Sequence, residues 1–236
     1  MTRPVTAGVA LLAAIAATLS PATSTAQPVG HTPDRTPYED VSLGQTLTLS
    51  GGWLNMGRDP AGAAPKAGGL VQVRYDAAVG GPVILYARYA LAPSERPEFD
   101  PTAIASARQK AMLRVFTNIA TAGMELALTG EKSWHHLVPT ISGGVGIALD
   151  PEKADTSGYQ FGSKFVLSYG AGVRYLAPRG IRVHLEATNF AWQYSYPQSF
   201  LTKASDGTAI LANSKDRTRW RGSWGLMAGL AYPIFR

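Results

Sequence analysis

Eight segments of this chain alternate apolar residues with small or polar ones at a period of two. In the first segment, Val41–Trp53, the odd positions are mostly apolar and the even positions are all Ser, Gly or Thr. Successive side chains of a β-strand point to opposite faces, so the alternation predicts strands with one apolar and one polar face. The predicted strands cover residues 41–53, 69–75, 83–90, 114–128, 137–149, 162–176, 181–192 and 220–234.

The connections between these segments alternate between short and long. Short links cover residues 77–81, 129–133 and 177–180, and long ones cover residues 55–68, 91–113, 150–161 and 193–219. An even number of strands with short turns at one end and long loops at the other is typical of transmembrane β-barrels, whose strands need about 9–11 residues. The pattern predicts an all-β, eight-stranded antiparallel up-and-down transmembrane barrel with periplasmic turns and extracellular loops. In the second long loop, Asp100-Pro101 can cap and open a short helix over Thr102–Met112.

The first 26 residues have the pattern of a secretory signal peptide. Arg3 precedes an apolar run from Val5 to Leu19, and small residues follow up to Ala26. Residues 27–40 contain three prolines and no period, so we expect a flexible periplasmic leader before a barrel domain of residues 41–236. The chain has no Cys, which excludes disulfides and thiolate metal sites. Only 16% of its residues are charged, against about 25% in soluble domains, which is consistent with a wall that faces lipid.

Three stretches carry a resemblance to a known family. Val138–Gly146 is a strand led by a proline that contains Gly-x-Gly, and Tyr169–Tyr175 alternates aromatic or apolar residues with glycine. Ile181–Asn189 follows after a short turn, and the last strand ends on the aromatic Phe235. The chain from about Val41 to Arg236 thereby resembles the small eight-stranded outer-membrane barrels of the OmpA/OmpX type.

This resemblance implies an integral protein of the cell outer membrane of a Gram-negative-type cell, in contact with outer-membrane lipid and lipopolysaccharide. It also implies insertion by the barrel-assembly machinery, which reads the C-terminal strand; Arg236 after Phe235 departs from the usual aromatic end. The motifs mark no activity, so we expect no enzyme, no cofactor and a structural or surface-interaction role for the loops, whose extracellular ligand is unknown. The formal charge of +6 falls mainly on the strands rather than the loops, which predicts no nucleic-acid partner.

Aromatic residues fall near both ends of the predicted strands. Trp and Tyr prefer the bilayer interface, where an apolar body and a polar tip are both satisfied. We therefore expect two aromatic girdles around the barrel. The predicted girdle residues are Trp53, Tyr75, Tyr89, Trp134, Tyr175, Trp192, Trp220 and Tyr232.

Charged residues occupy the polar face of the predicted strands. The lumen of an eight-stranded barrel is just wide enough for side chains to fill, and an unpaired buried ion costs several kcal/mol. We therefore expect an interior salt-bridge network that fills the lumen. Its predicted members are Arg74, Glu125, Arg174, Arg182 and Glu186. The same face also carries Asp76, Arg88, Arg114, Lys164 and Arg221. Because basic residues outnumber acidic ones there, a narrow anion-selective pore is the alternative.

A lipid-modifying enzyme is a second alternative. Residues 184–189 (H-L-E-A-T-N) loosely resemble the His-x-Ser-Asn stretch of lipid A deacylase barrels. That resemblance implies Thr188 as a nucleophile and His184 as its base. The serine position of the motif is occupied by Glu186, so a hydrogen-bonded His184–Glu186 pair inside the barrel is the structural alternative.

A periplasmic lipocalin is a third alternative, suggested by Gly51-Gly52-Trp53 in the first strand. In a lipocalin the apolar face would line the cavity and the polar face would meet water. No His-x-x-x-His or EF-hand loop indicates a metal site, and we expect the carboxylates of residues 150–155 to be solvated.

Overall fold

The protein is described by a computed structural model that covers residues 36–57, 59–151, 154–177 and 181–235. The predicted signal peptide and residues 27–35 of the predicted leader lie outside the described residues. The strands are β1 (Tyr38–Asp40), β2 (Gln45–Asn55), β3 (Gly68–Gly80), β4 (Val83–Phe99), β5 (Gln109–Ala127), β6 (Lys132–Trp134), β7 (Leu137–Leu149), β8 (Ser163–Leu176), β9 (Arg182–Ser195) and β10 (Thr218–Phe235). None of the helices among these residues has the length and apolar content needed to cross a membrane.

The eight long strands form one closed antiparallel barrel. Each pairs with its neighbours in chain order, and β10 pairs with β2 from Trp224 opposite Asn55 down to Phe235 opposite Gln45. Closure leaves no long strand with an unpaired edge inside the wall, which is the condition for a sheet to cross a bilayer. The predicted fold class is confirmed.

The apolar faces of the strands point outward and the polar faces point into the lumen. Leu47 is 44% exposed and Leu226 is 62% exposed, while Arg74 on the opposite face is fully buried. This orientation is the reverse of a lipocalin, in which the apolar face lines the cavity. The Gly51-Gly52-Trp53 motif therefore belongs to the wall of an inside-out barrel, and Trp53 faces outward.

Strands β4 and β5 are longer than the sequence predicts. The predicted helix over Thr102–Met112 is wrong: only Ala105–Ala107 form a single 3₁₀ turn. The pairing of β4 with β5 continues to Phe99 opposite Gln109, whereas β3 leaves β4 at Leu91. The two strands thus rise beyond the wall as a hairpin, and its ladder of hydrogen bonds outweighs the local capping signal of Asp100.

The end of the predicted leader is ordered and crosses the turn side of the barrel. Strand β1 pairs with β6, which lies between β5 and β7 on the side of the barrel opposite β2. The chain between β1 and β2, which we call the mouth segment (Val41–Gly44), must therefore span the opening. Its Leu43 is buried against Ile84 and Val138.

Candidate functional site

The centre of the lumen is an ion cluster built around Arg74, which is fully buried on β3. Its Nε lies 2.8 Å from Oδ1 of Asp76, and its Nη1 lies 3.2 Å from Oε2 of Glu186. Its Nη2 forms a short salt bridge to Glu125. One guanidinium therefore joins carboxylates from three strands, β3, β5 and β9. Among the cationic side chains, only Arg can supply this geometry.

Two further arginines complete the cluster. Arg88 lies 2.7 Å from Glu186, and Arg174 lies 2.7 Å from Glu125 and 3.2 Å from Asp76. Three arginines thus face three carboxylates, so this part of the lumen is neutral in sum. Neutrality matters because each unpaired ion would cost several kcal/mol in such a buried position.

The cluster differs from the predicted network at three positions. Arg182 is a correction: its Nη1 donates to the carbonyl of Leu43 at 2.7 Å and its Nη2 to Ser42 at 3.1 Å. It therefore holds the mouth segment at the turn end. Asp76 and Arg88 take part instead, although the prediction omitted them. The period of two placed both inside the barrel, but which charges meet depends on the register between strands.

Inward-facing glycines give the large side chains their space. A Cβ built on Gly144 would come within 2.5 Å of the Tyr86 hydroxyl, and one on Gly172 within 3.1 Å of His184 Nε2. Tyr86 in turn lies under the guanidinium of Arg74, with 4.4 Å from Cζ to the ring centroid. Small residues on β7 and β8 thus leave space for large side chains from β3, β4 and β9, as the narrow lumen of a small barrel requires.

The loop side of the lumen is filled by aromatic side chains. Phe190, Trp192 and Tyr194 point inward from β9 at successive inward positions, and all three are fully buried. Phe161 from the third long loop packs edge-on against Trp192, with ring centroids 5.9 Å apart. Trp192 was predicted in the outer girdle, and this placement is corrected. Its position has the same parity as His184, so continuing the alternation along β9 would have placed it inside.

The turn side of the lumen is closed by a smaller apolar layer. Leu43, Ile84, Ala127 and Val138 form this cluster, and Leu43 comes from the mouth segment. The ions therefore lie between an aromatic layer towards the loops and an aliphatic layer towards the turns.

The described parts of the four long loops are joined into one layer, which we call the loop cap (residues 56–57, 59–67, 92–117, 150–151, 154–162 and 196–217). Arg96 of the β4–β5 hairpin lies 2.6 Å from Asp155 of the third loop. The hydroxyl of Thr156 donates to Glu98 at 2.7 Å, which adds a second link between the same elements. The backbone N–H of Ala105 donates to Asp206 of the fourth loop at 2.8 Å. The hairpin is the element that all these contacts share.

These contacts shift the pKa values of titratable groups in the loop cap. Hydrogen bonds from the backbone N–H of Ala105 and from Thr208 lower the pKa of Asp206 to about 2. Burial, followed by the nearby Asp59 carboxylate, raises the pKa of Tyr196 above its ordinary value. The Tyr196 hydroxyl donates to Asp59 and so ties the first loop to the fourth.

Seven of the eight predicted girdle residues are exposed on the outside of the barrel. They are Trp53, Tyr75, Tyr89, Trp134, Tyr175, Trp220 and Tyr232. Trp224 and Tyr169 are also exposed there and were missed, although both have outward parity. Outward aromatics thus occur towards both ends of the wall.

The proposed catalytic pair is not formed. The Thr188 hydroxyl donates to Glu186 and accepts from Arg88 Nη1 at 3.2 Å, while His184 Nε2 has no hydrogen-bond partner. Both side chains point into the closed lumen rather than towards lipid. Among the residues that the structure describes, no group of three His, Asp or Glu side chains is arranged to hold a metal ion. The expectation that the carboxylates of residues 150–155 are solvated is wrong for Asp155, which is buried in a salt bridge to Arg96.

An apolar outer wall, a filled lumen and a closed ring of eight strands define a small outer-membrane-type β-barrel. The chain is similar to the crystal structure of Neisserial surface protein A (NspA), with a TM-score of 0.51 and 9% identity over 80% of this chain and 97% of that one. Two structures of Ail from Yersinia pestis also match, with TM-scores of 0.39 and 0.41 and identities of 14% and 15%. They cover 80% of this chain and 100% and 99% of Ail. No family model and no curated protein matches the sequence.

Proposed function

We propose that this chain is an integral, non-enzymatic protein of the cell outer membrane whose sealed barrel supports a rigid extracellular loop cap. The observation that carries the proposal is the order of layers in the lumen: aromatic side chains, a neutral ion cluster, then aliphatic side chains. A transported ion would have to displace both apolar layers and separate buried ion pairs. The filled lumen therefore favours a structural role over the anion-selective pore.

The ordered loop cap supports a surface-interaction role. Loops that only connect strands need no buried core, yet Phe200 of the fourth loop is fully buried and stacks on Tyr159 of the third. Ordering a loop costs about 1–2 kcal/mol per residue in backbone entropy. In a packed cap this entropy is already lost on folding, so binding of a ligand to the outer surface loses less.

Cations at the rim support contact with lipopolysaccharide. Lys215, Arg217 and Arg219 are exposed where β10 enters the wall, immediately before the outward-facing Trp220. Basic side chains at the membrane surface attract anionic headgroups, and each is worth about 1 kcal/mol. Insertion through the barrel-assembly machinery, guided by the β10 strand that ends at Phe235, is part of the same proposal.

Epitope labelling on intact cells tests location and orientation together. A tag is inserted at Gly207, in the fourth loop, and the matched control tag at Gly81, in the β3–β4 turn. Both glycines are exposed at the tips of connections between strands, where insertions are tolerated best. We expect antibody to label only the Gly207 tag until the membrane is permeabilised. Labelling of the Gly81 tag alone, or recovery of the protein in a soluble periplasmic fraction, would overturn the proposal.

Planar bilayer recording on the refolded protein tests the sealed lumen separately. We expect no steady conductance, because the ion cluster and both apolar layers block the path. Steady, anion-selective conductance would show that the pore alternative is correct.

A further inference from the structure

The β4–β5 hairpin carries a groove on its outward face, just beyond the wall. Pro93 and Glu95 on β4 and Arg114 and Phe116 on β5 line this groove, whose volume is about 320 Å³. We call it the hairpin groove. Pro93 follows the girdle residue Tyr89 by four positions on β4, which corresponds to about 10 Å along the membrane normal for a tilted strand. In the proposed outer membrane, the groove therefore lies at the level of the lipid headgroups.

The two charged side chains of the hairpin groove are not paired with each other or with a neighbour. Glu95 and Arg114 are exposed and lie directly opposite each other in the register of β4 and β5. Within the described part of the chain, neither side chain has an ion-pair or hydrogen-bond partner. Lys110 of the same hairpin, by contrast, pairs with Asp100 at 2.9 Å. The groove thus offers one free carboxylate and one free guanidinium side by side.

A further cation and an apolar surface lie next to these two charges. The exposed Lys66 comes from the first loop, where its backbone N–H donates to the carbonyl of Glu95 at 2.8 Å. Its Nζ lies 4.0 Å from Sδ of Met112, which is the next outward residue of β5 after Arg114. On the membrane side of the charges, Phe116 is 48% exposed and continues the apolar outer wall. The hairpin groove is therefore apolar towards the membrane and charged towards the loops.

The rim at β10, on the far side of the barrel, has a different arrangement of charges. There the carboxylate of Asp216 is already paired with Arg219 at 2.6 Å, next to the exposed cations Lys215 and Arg217. That rim attracts anionic groups. The hairpin groove attracts them too, but its free carboxylate also requires a cation.

We infer that the hairpin groove binds the zwitterionic phosphoethanolamine headgroup of a membrane lipid. This inference rests on the proposed membrane insertion. The phosphate accepts charge-assisted hydrogen bonds from Arg114, close to the positive charge of Lys66, and the ammonium donates to Glu95. Phosphate and ammonium are joined by two carbons, so both ends reach directly opposite residues, whose Cβ atoms are about 4.5–5.5 Å apart. A headgroup that carries a phosphate alone would leave the carboxylate unpaired and would be repelled by it.

Lipid retention by the refolded protein in micelles of dodecyl maltoside, an uncharged detergent, tests this inference. Two pairs of lipids are compared: phosphatidylethanolamine with phosphatidylglycerol, and lipid A with and without a phosphoethanolamine group. The two pairs distinguish a glycerophospholipid from lipid A as the source of the headgroup. The variants are Glu95→Gln and Arg114→Gln, and Glu131→Gln, at an exposed carboxylate of the turn end, is the matched control. Bound lipid per barrel is measured after gel filtration.

We expect the wild type to retain roughly threefold more of the ethanolamine-bearing lipid than of its counterpart in at least one pair. Glu95→Gln should abolish this preference and, because a negative charge is removed, should retain more phosphatidylglycerol than the wild type. Arg114→Gln should retain less of both lipids in each pair, and Glu131→Gln should behave as the wild type. A merely structural role of Glu95 would change the retention of both lipids of a pair alike.

Two results would overturn the inference and leave the proposed function untouched: equal retention within both pairs by the wild type, or an unchanged preference in Glu95→Gln. Unfolding midpoints check that the variants are folded, which we expect because the substituted side chains are exposed. A protein that stays soluble without detergent would overturn the proposed membrane insertion as well.

Discussion

The two halves of the lumen are filled by opposite chemistry. Towards the turns, Arg74 and its neighbours form a network in which every charge depends on a partner from another strand. Towards the loops, Trp192 and the rings around it fill space through contacts that are many and individually weak. We therefore expect the removal of one charge to destabilise the whole ionic half. In the aromatic half, the loss of stability should be proportional to the side-chain volume removed.

The largest expected effect is that of Arg74→Met, which keeps much of the side-chain volume and removes the charge. Asp76, Glu125 and Glu186 would then share too few cations, and removing one partner from a buried ion pair costs about 3–5 kcal/mol. Urea unfolding of the refolded protein in lipid vesicles measures this loss. Arg182→Met is the control, because Arg182 donates to the neutral carbonyls of Leu43 and Ser42 at the turn end, and it should lose less than half as much. Equal losses in the two variants would contradict a cooperative network.

The next effect is that of Trp192→Ala in the aromatic half. Truncating a buried Trp costs about 3–5 kcal/mol, whereas Trp192→Phe should recover most of that loss because volume is the property that counts. Trp220→Ala, on the exposed outer wall, is the matched control and should cost about 1 kcal/mol or less. The same unfolding assay applies. If Trp192→Phe destabilised the protein as much as Trp192→Ala, side-chain volume would not be the property that determines stability in the aromatic half.

A smaller effect concerns the pH dependence of the loop cap. The folded-state pKa of Tyr196 is raised by burial and by Asp59, so its neutral form stabilises the cap. This contribution is complete below the ordinary tyrosine pKa of about 10 and is lost as the pH rises above it. We expect proteolysis of the loops to accelerate above about pH 10. Tyr196→Phe should flatten that rise; an unchanged profile would show that another group controls it.

The smallest effect is expected at the rim, where charges are solvated. The double variant Lys215→Glu and Arg217→Glu should reduce lipopolysaccharide retained by the purified barrel by a few-fold at low salt, and by less at high salt. Lys132→Glu, an exposed cation at the turn end, is the control and should have no effect on retention. Equal retention by the wild type, the double variant and Lys132→Glu would show that the rim cations do not contact lipopolysaccharide.

Much of the wall was predictable from the sequence, because which face a side chain takes is a local property. The strand predicted over Leu137–Leu149 has the bounds that the structure gives it. Arg74, Asp76 and Arg88 were all placed inside the barrel by parity alone. The identity of each ion pair was not predictable, because a cross-strand neighbour depends on the register and tilt of the closed sheet.

The placement of Trp192 was an error of interpretation, because this residue ends the predicted strand of residues 181–192 and its parity alone places it inside. The other two errors have a common physical origin in contacts with elements distant in the chain. Residues Gln109–Met112 were assigned to a helix from a capping signal, yet pairing with β4 decides their conformation. Arg182 was assigned to the network because it points inward, but the mouth segment, a non-local element, supplies its acceptors.

The sequence by itself determined that this chain builds a barrel with an apolar exterior, because an alternation of period two is written into each segment separately. Only the tertiary structure decided that the lumen is filled in layers and that the loops pack into a cap. Those features require residues far apart in the chain to meet, and their meeting depends on how eight strands close around one another.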